Sequence, residues 1–312
     1  MTRTCSKILV ASTLLLASLL LLACTWGGSQ PMPIAPSVAP APDGMTVARG
    51  REGEVHVKRL DGEGEAVWDT SVRNGSTWCE LARDDTGGVI VGWNQADGLY
   101  LQRISSDGRL IWEDGGVAVS DVAGVQVFAG ILPGDSGDIV TVWTHDQEIR
   151  AQKVDEAGSR LWKANSVLVG RASDLERAVA VQDHQGGAVV IWQSSGAPGT
   201  LRAQHIDSQG NVLWHEDGIL MSEQVTSGLG GAPEVVDDGQ GGAVVAWGPP
   251  DGLYAQRVGP EGQRLWEERA VQLTAAASAP VDKGVARGPE AFLVVWAEAP
   301  QPTADPPRGW TV

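Results

Sequence analysis

The chain has 312 residues, with 23 Lys and Arg against 39 Asp and Glu, a formal net charge of −16. That balance speaks against nucleic acid as a partner and against electrostatic adhesion to anionic lipid. Only three cysteines are present, too few for a disulfide framework, so an ordered domain must be held by its apolar core. The 13 tryptophans stand beside only two tyrosines and two phenylalanines, and ten of them fall on a grid.

The N-terminus comes first in chain order. Arg3 and Lys7 precede an apolar run from Ile8 to Ala23, which ends in Leu21-Leu22-Ala23-Cys24. A membrane-spanning helix needs about 20 apolar residues, more than this run supplies. The segment resembles a bacterial lipoprotein signal, in which a small residue precedes the cysteine that becomes the lipidated N-terminus. Leu22 departs mildly from the Ala, Ser or Thr usual at its place. The resemblance implies removal of residues 1–23 and lipidation of Cys24. It also implies a place in the bacterial cell envelope, anchored to a membrane by lipid alone with the domain outside the cytoplasm. Buried acyl chains contribute ~0.8 kcal/mol per methylene. Without Arg3 and Lys7, 21 basic residues face 39 acidic ones. Residues 24–44 carry Pro31, Pro33, Pro36, Pro40 and Pro42 among Ala, Ser and Gly, which predicts a flexible linker with nothing to bury. Cys79, in an apolar strand pattern, reads as a buried small side chain.

Residues 45–300 read as one repeat domain, with 301–312 as a tail. Trp93, Trp143, Trp192, Trp247 and Trp296 recur about every 50 residues, and Trp68, Trp112, Trp162, Trp214 and Trp266 form an interleaved series. Fixed spacing of a large side chain means one unit copied in tandem. Each unit reads as four short strands joined by tight turns. In the clearest copy these are Ala232–Val236, Ala243–Trp247, Leu253–Val258 and a segment opened by Leu265-Trp266. A glycine stands four residues before each second-series tryptophan: Gly64, Gly108, Gly158, Gly210 and Gly262. Gln102, Gln152, Gln204 and Gln256 stand ten residues before it, with Lys58 in the fifth such place. The pattern GGAVVAW, YAQRV and G-x-x-LW, here Gly241–Trp247, Tyr254–Val258 and Gly262–Trp266, resembles repeats of multi-copy exported bacterial proteins that form β-propeller blades. The fold class is all-β. Glu54–Thr70 carries only strands three and four of a unit, and Val281–Ala297 only strands one and two. The expectation is a five-bladed propeller closed by one composite blade from both termini. The alternative is an open or truncated array, Arg308-Gly309-Trp310-Thr311-Val312 being the start of a third strand.

No nucleophile elbow, phosphate-binding glycine loop or zinc motif is present, so no catalytic residue, metal or cofactor is assigned. The five histidines lack partners at ligand spacing. Asp-rich turns such as Asp84-Asp85-Thr86-Gly87-Gly88 lack the alternating oxygen ligands of a calcium loop. The repeated Gln reads as a satisfied polar group between strands, and the basic residues after it (Arg59, Arg103, Lys153, His205, Arg257) as stacking on tryptophans between blades. Two functions fit. One is a non-catalytic binding or scaffolding module, a monomer with an unknown protein or glycan partner. It would act through the propeller face that carries Asn94, Asp97, His145, Asp146, Gln193, Ser194 and Asp251. The other is a glycan-active enzyme, for which Glu80, Glu234 and Asp282 on the innermost strands are the candidates if they converge.

Overall fold

The computed structural model describes residues 37–298, except 42, 52, 74–78, 164–165, 197–198, 224, 226–231, 249–251, 267–269 and 275–279. Five four-stranded antiparallel sheets follow one another along the chain. Blade 1 is β1 (Ser37–Ala41), β2 (Gly44–Arg51), β3 (Glu54–Asp61) and β4 (Ala66–Arg73). Blade 2 is β5 (Cys79–Arg83), β6 (Val89–Gln95), β7 (Gly98–Ile104) and β8 (Val117–Ala118). Blade 3 is β9 (Gln126–Pro133), β10 (Ile139–His145), β11 (Glu148–Val154) and β12 (Val167–Arg171). Blade 4 is β13 (Leu175–Gln182), β14 (Ala188–Ser194), β15 (Thr200–Ile206) and β16 (Ile219–Ser222). Blade 5 is β17 (Glu234–Asp237), β18 (Ala243–Trp247), β19 (Tyr254–Val258) and β20 (Val271–Gln272). A two-stranded sheet, β21 (Pro280–Arg287) and β22 (Phe292–Glu298), comes last. The first strands meet in chain order, β1 on β5, β5 on β9, β9 on β13, β13 on β17 and β17 on β21. They are the inner strands of a propeller-like array.

The continuous apolar second strands are buried on both faces because each lies between two blades. Trp93, Trp143, Trp192 and Trp247 are at most 2% exposed. Four apolar clusters fill the four interfaces between neighbouring complete blades. In each, the first-series tryptophan and the residues two and four before it face the preceding blade.

The second-series tryptophans latch each blade to the next. The indole N–H of Trp68, Trp112, Trp162 and Trp214 donates to the carbonyl of Ser106, Glu156, Ser208 and Pro260 in the following blade, at 2.9–3.1 Å. The repeated glycine sits in that receiving turn. Gly108, Gly210 and Gly262 have φ of 80–85°. A Cβ there would stand 2.9–3.3 Å from the tryptophan ring of the preceding blade. Left-handed backbone and close approach both require glycine at this place.

The two ends do not form the composite fifth blade that the half-units suggested. Val55–Leu60 pairs with Met45–Gly50 of β2, and Phe292 pairs with Arg287 of β21. Strands one and two of blade 1 therefore come from residues 37–51, and the array begins inside the segment expected to be linker up to 44. Among the described residues the ring is open at blade 1. Gly64 occupies the same turn as Gly108, with φ of 87°, yet no described residue lies within 4 Å of the position its Cβ would take.

Candidate functional site

Antiparallel pairing puts the turns between second and third strands on the same face as the starts of the inner strands. Asp97 is exposed in the β6–β7 turn and accepts a hydrogen bond from the Tyr100 hydroxyl at 3.1 Å. Asn94 is the penultimate residue of β6, half-buried. His145 ends β10, half-buried, 4.0 Å from exposed Asp146, whose φ is 53°. Gln193 and Ser194, expected on this face, are 1% and 7% exposed and brace blade 4 from within. Gln193 Nε2 donates to Glu176 Oε2 at 3.1 Å, and the Ser194 hydroxyl lies 2.8 Å from that of Thr200. A groove of about 580 Å³ opens beside them, lined by Arg171, Asp174, Ser194, Thr200, Arg202 and Asp217 among others. Asp251 and Cys24 lie outside the described residues.

The mouth of the central channel opens on the same face, and there charge converges. Glu80 of β5 stands opposite Gly92, and Glu234 of β17 opposite Ala246, each one residue before a first-series tryptophan. Arg177 of β13 stands opposite Gln193, beside a register shift between Leu175 and Arg177. Asp282 and Lys283 lie in the first half of β21, opposite Ala297 and Trp296. Solvent reaches Glu80 and Arg177. Protein on several sides nevertheless strips hydration from the Glu80 carboxyl and pushes its pKa up to about 7, with the Arg177 charge pulling the other way. Burial raises Glu234 likewise, against the charges of Arg177 and Lys283. Burial brings Lys283 down to about 8, with Glu234 opposing. Arg177 thus lies in the field of both glutamates. Among the described residues, no ion pair within 4.0 Å closes on Arg177, Glu80 or Glu234. Sequence reasoning named the carboxylates but missed Arg177, because an arginine on a strand carries no signal and it stands opposite the residue after the first-series tryptophan, two places from the position that Glu80 and Glu234 share.

The opposite face shows what closed charges look like in this fold. Arg103 makes a bidentate pair with Asp84 at 2.8 Å, Lys153 meets Asp138 at 3.2 Å, His205 meets Asp183 at 2.9 Å and Arg257 meets Asp238 at 3.0 Å. Against the cost of burial, the Arg103 hydrogen bond holds the Asp84 carboxyl below its ordinary range. The basic residue after the repeated Gln therefore serves chiefly as the partner of an Asp in the turn between strands one and two. Stacking is secondary, as in the 5.7 Å tilted contact of His205 with Trp214. The turn carboxylates also cap backbone N–H groups, as Asp183 does for Gln185 and Gly187, both at 2.8 Å. Among the described residues, no group of three or more His, Cys, Asp or Glu is placed to hold a metal ion.

No protein-family model matches the chain, and no curated protein matches it. Similar solved structures include a streptogramin B lyase at 12% identity, covering 84% of this chain and 76% of that one, with a TM-score of 0.49. The Dos1 propeller is similar at 14% identity over 80% of this chain and 61% of that one, TM-score 0.49. The polysaccharide lyase Uly1 is similar at 7% identity over 87% and 88%, TM-score 0.48. None of these assigns a residue or an activity to this chain.

Proposed function

We propose that this chain is an exported, lipid-anchored binding protein of the bacterial envelope, tethered through Cys24 and taking its ligand at the channel mouth. The observation that carries this is the open charge group of Glu80, Arg177 and Glu234. Elsewhere among the described residues, charges enclosed by protein such as Arg103, Lys153, His205 and Arg257 are closed by aspartates. Ionised groups held among protein without a partner are costly unless something completes them, and strongly perturbed titrating groups gather at functional sites. Asp97 and Asp146 keep the surrounding face acidic, which favours a cationic or hydroxyl-rich ligand such as an amino sugar or neutral glycan. Metabolic labelling with a fatty acid tests the anchor: the wild type is marked, and Cys24→Ser is not. Equal labelling of both refutes lipidation.

The detergent-solubilised full chain, offered an array of neutral and amino-substituted oligosaccharides, tests the site. Retention without cleavage is expected, weakened roughly tenfold, or ~1.4 kcal/mol, in Glu234→Gln. Retention unchanged by Glu234→Gln and Arg177→Ala places the ligand elsewhere. A second function has its own support: a carboxyl titrating near neutrality can serve as a general acid. Cleavage of a glycan that disappears in Glu80→Gln identifies an enzyme instead.

A further inference from the structure

Blade 4 departs from the repeat at its middle hairpin. Trp192 pairs there with Arg202, ten residues on, while Trp93, Trp143 and Trp247 pair with Tyr100, Arg150 and Tyr254, seven residues on. The turn after β14 is therefore three residues longer than its equivalents. The groove of about 580 Å³ opens beside it, walled also by the connection from β12 to β13 and by Arg202 and Asp217.

These walls are tied to one another. Asp174 holds a left-handed backbone, with φ of 58°. Its carbonyl accepts from the backbone N–H of Ser195 at 2.9 Å and from the Ser195 hydroxyl at 3.2 Å, which joins the longer turn to the connection before β13. Arg202 Nη1 donates to the carbonyls of Asp217 and Gly218 at 3.1 and 3.4 Å, leaving Nε and Nη2. Arg171 gives Nε and Nη2 to Glu148 at 3.1 and 2.7 Å, leaving Nη1. Among the described residues, the carboxylates of Asp174 and Asp217 accept no hydrogen bond and meet no cation within 4.0 Å. One groove thus holds donors and acceptors that do not satisfy each other.

A ligand must answer both sets. A phosphate or carboxylate accepts from the guanidiniums but is repelled by the aspartates, and an ammonium does the reverse. A hydroxyl donates once and accepts twice, so a run of hydroxyls meets both sets without adding charge. Among the described residues, none lining the groove is aromatic or a large aliphatic, so neither stacking nor burial of an apolar group drives recognition. The volume lies within the about 300–1,000 Å³ usual for small-molecule sites. We propose that this groove is a second binding site, for a neutral, hydroxyl-rich ligand the size of a short saccharide. Arg171 and Arg202 donate to it, and Asp174 and Asp217 accept from it. Glu80, Arg177 and Glu234 do not line the groove, so this site stands apart from the channel mouth.

Calorimetric titration of the full chain, solubilised in a detergent without a sugar headgroup, tests this. The probes are maltose, cellobiose and N,N′-diacetylchitobiose, with diglycine as zwitterionic control and glucose 6-phosphate as anionic control. At least one disaccharide should bind more tightly than either control. Asp174→Asn keeps a residue that tolerates left-handed backbone. Combined with Asp217→Asn, it should weaken binding roughly tenfold or more, as loss of hydrogen bonds to charged groups does. Ser173→Trp, at an exposed lining position, should block the groove from its rim, which keeps the test decisive if the paired variant disturbs the turn. Arg177→Ala should leave this binding unchanged. If the mouth also takes the probe, each set of variants should remove one site from the stoichiometry. The proposal is overturned if no disaccharide binds at ~10 mM, weaker than a millimolar Kd, or if a control binds more tightly than all three. It is also overturned if strength and stoichiometry survive both groove variants. Loss of that binding in Arg177→Ala then places the saccharide at the channel mouth, and the reading of the mouth stands while that of the groove falls.

Discussion

Glu80 concentrates the physics of the channel mouth in one side chain. Its ordinary pKa is 4.5, and in the fold it sits at about 7. The folded chain therefore holds this proton more tightly than the unfolded one. Stability contributed by the group is fully present below pH 4.5, declines as the pH rises, and is gone above about pH 7. Glu80→Gln keeps the shape and removes the titration. Relative to the variant, the melting temperature of the wild type should fall between about pH 4.5 and 7.5, leaving Glu80→Gln the more stable at about pH 8. Parallel melting curves across that window would show that channel water hydrates the carboxylate fully. The tryptophans give a contrast within one residue type. Trp192→Ala, at 0% exposure, should cost ~3–5 kcal/mol in denaturant unfolding, the range for truncating a buried large aromatic. Trp296→Ala, at 41% exposure, should cost well under half of that in the monomer. Equal losses would mean that the edge of β22 is covered in solution.

Within a blade, the repeated glutamine ties the third strand to the hairpin that follows it. Gln204 Oε1 accepts from the backbone N–H of His205 at 2.9 Å and of Trp214 at 3.0 Å, and its Nε2 donates to the His215 carbonyl at 2.7 Å. Gln102 and Gln152 repeat the three bonds. A buried donor left without a partner costs about 1–3 kcal/mol. Gln204→Leu, which strands three backbone groups at once, should lower stability by at least ~3 kcal/mol, read as a shift in denaturant midpoint at constant slope. An unchanged midpoint would show that water replaces the amide. This brace was legible in the sequence because its spacing from the second-series tryptophan is fixed. So were four complete units, whose turns and apolar second strands repeat closely. Blade 1 was not fully legible. β1 reads SVAPA and lies in a proline-rich stretch, but as the inner edge strand it tolerates Pro40. β2 reads GMTVARGR and lacks the tryptophan that marks every other second strand. Two of the three groups at the candidate site were legible, since Glu80 and Glu234 share a repeat position. Arg177 was not, because it stands two places along the strand from that position, and which face of a strand meets the channel is not written in a single arginine.

Across the whole molecule, openness changes how stability is shared. In a closed propeller each blade has two neighbours. Here, among the described residues, blade 1 and the half-sheet have one each, and the array behaves as a row of nearest-neighbour interfaces. The half-sheet rests on blade 5 through Phe292 against Trp266 and through Arg287 with Asp237. Blade 4 is held on both sides, by the apolar cluster around Trp192 and by the one around Trp247. Opening of β21 and β22 should therefore cost far less than opening of β14, and it should not require blade 4 to open. Phe292→Ala removes the ring that packs edge-on against Trp266. It should raise amide exchange across Pro280–Glu298 while leaving protection in Ala188–Ser194 unchanged, as expected for sub-global opening at a chain end. Hydrogen exchange by mass spectrometry separates the two segments. If β14 loses protection in step with β22, the array unfolds as one cooperative ring. The two ends must then meet in solution.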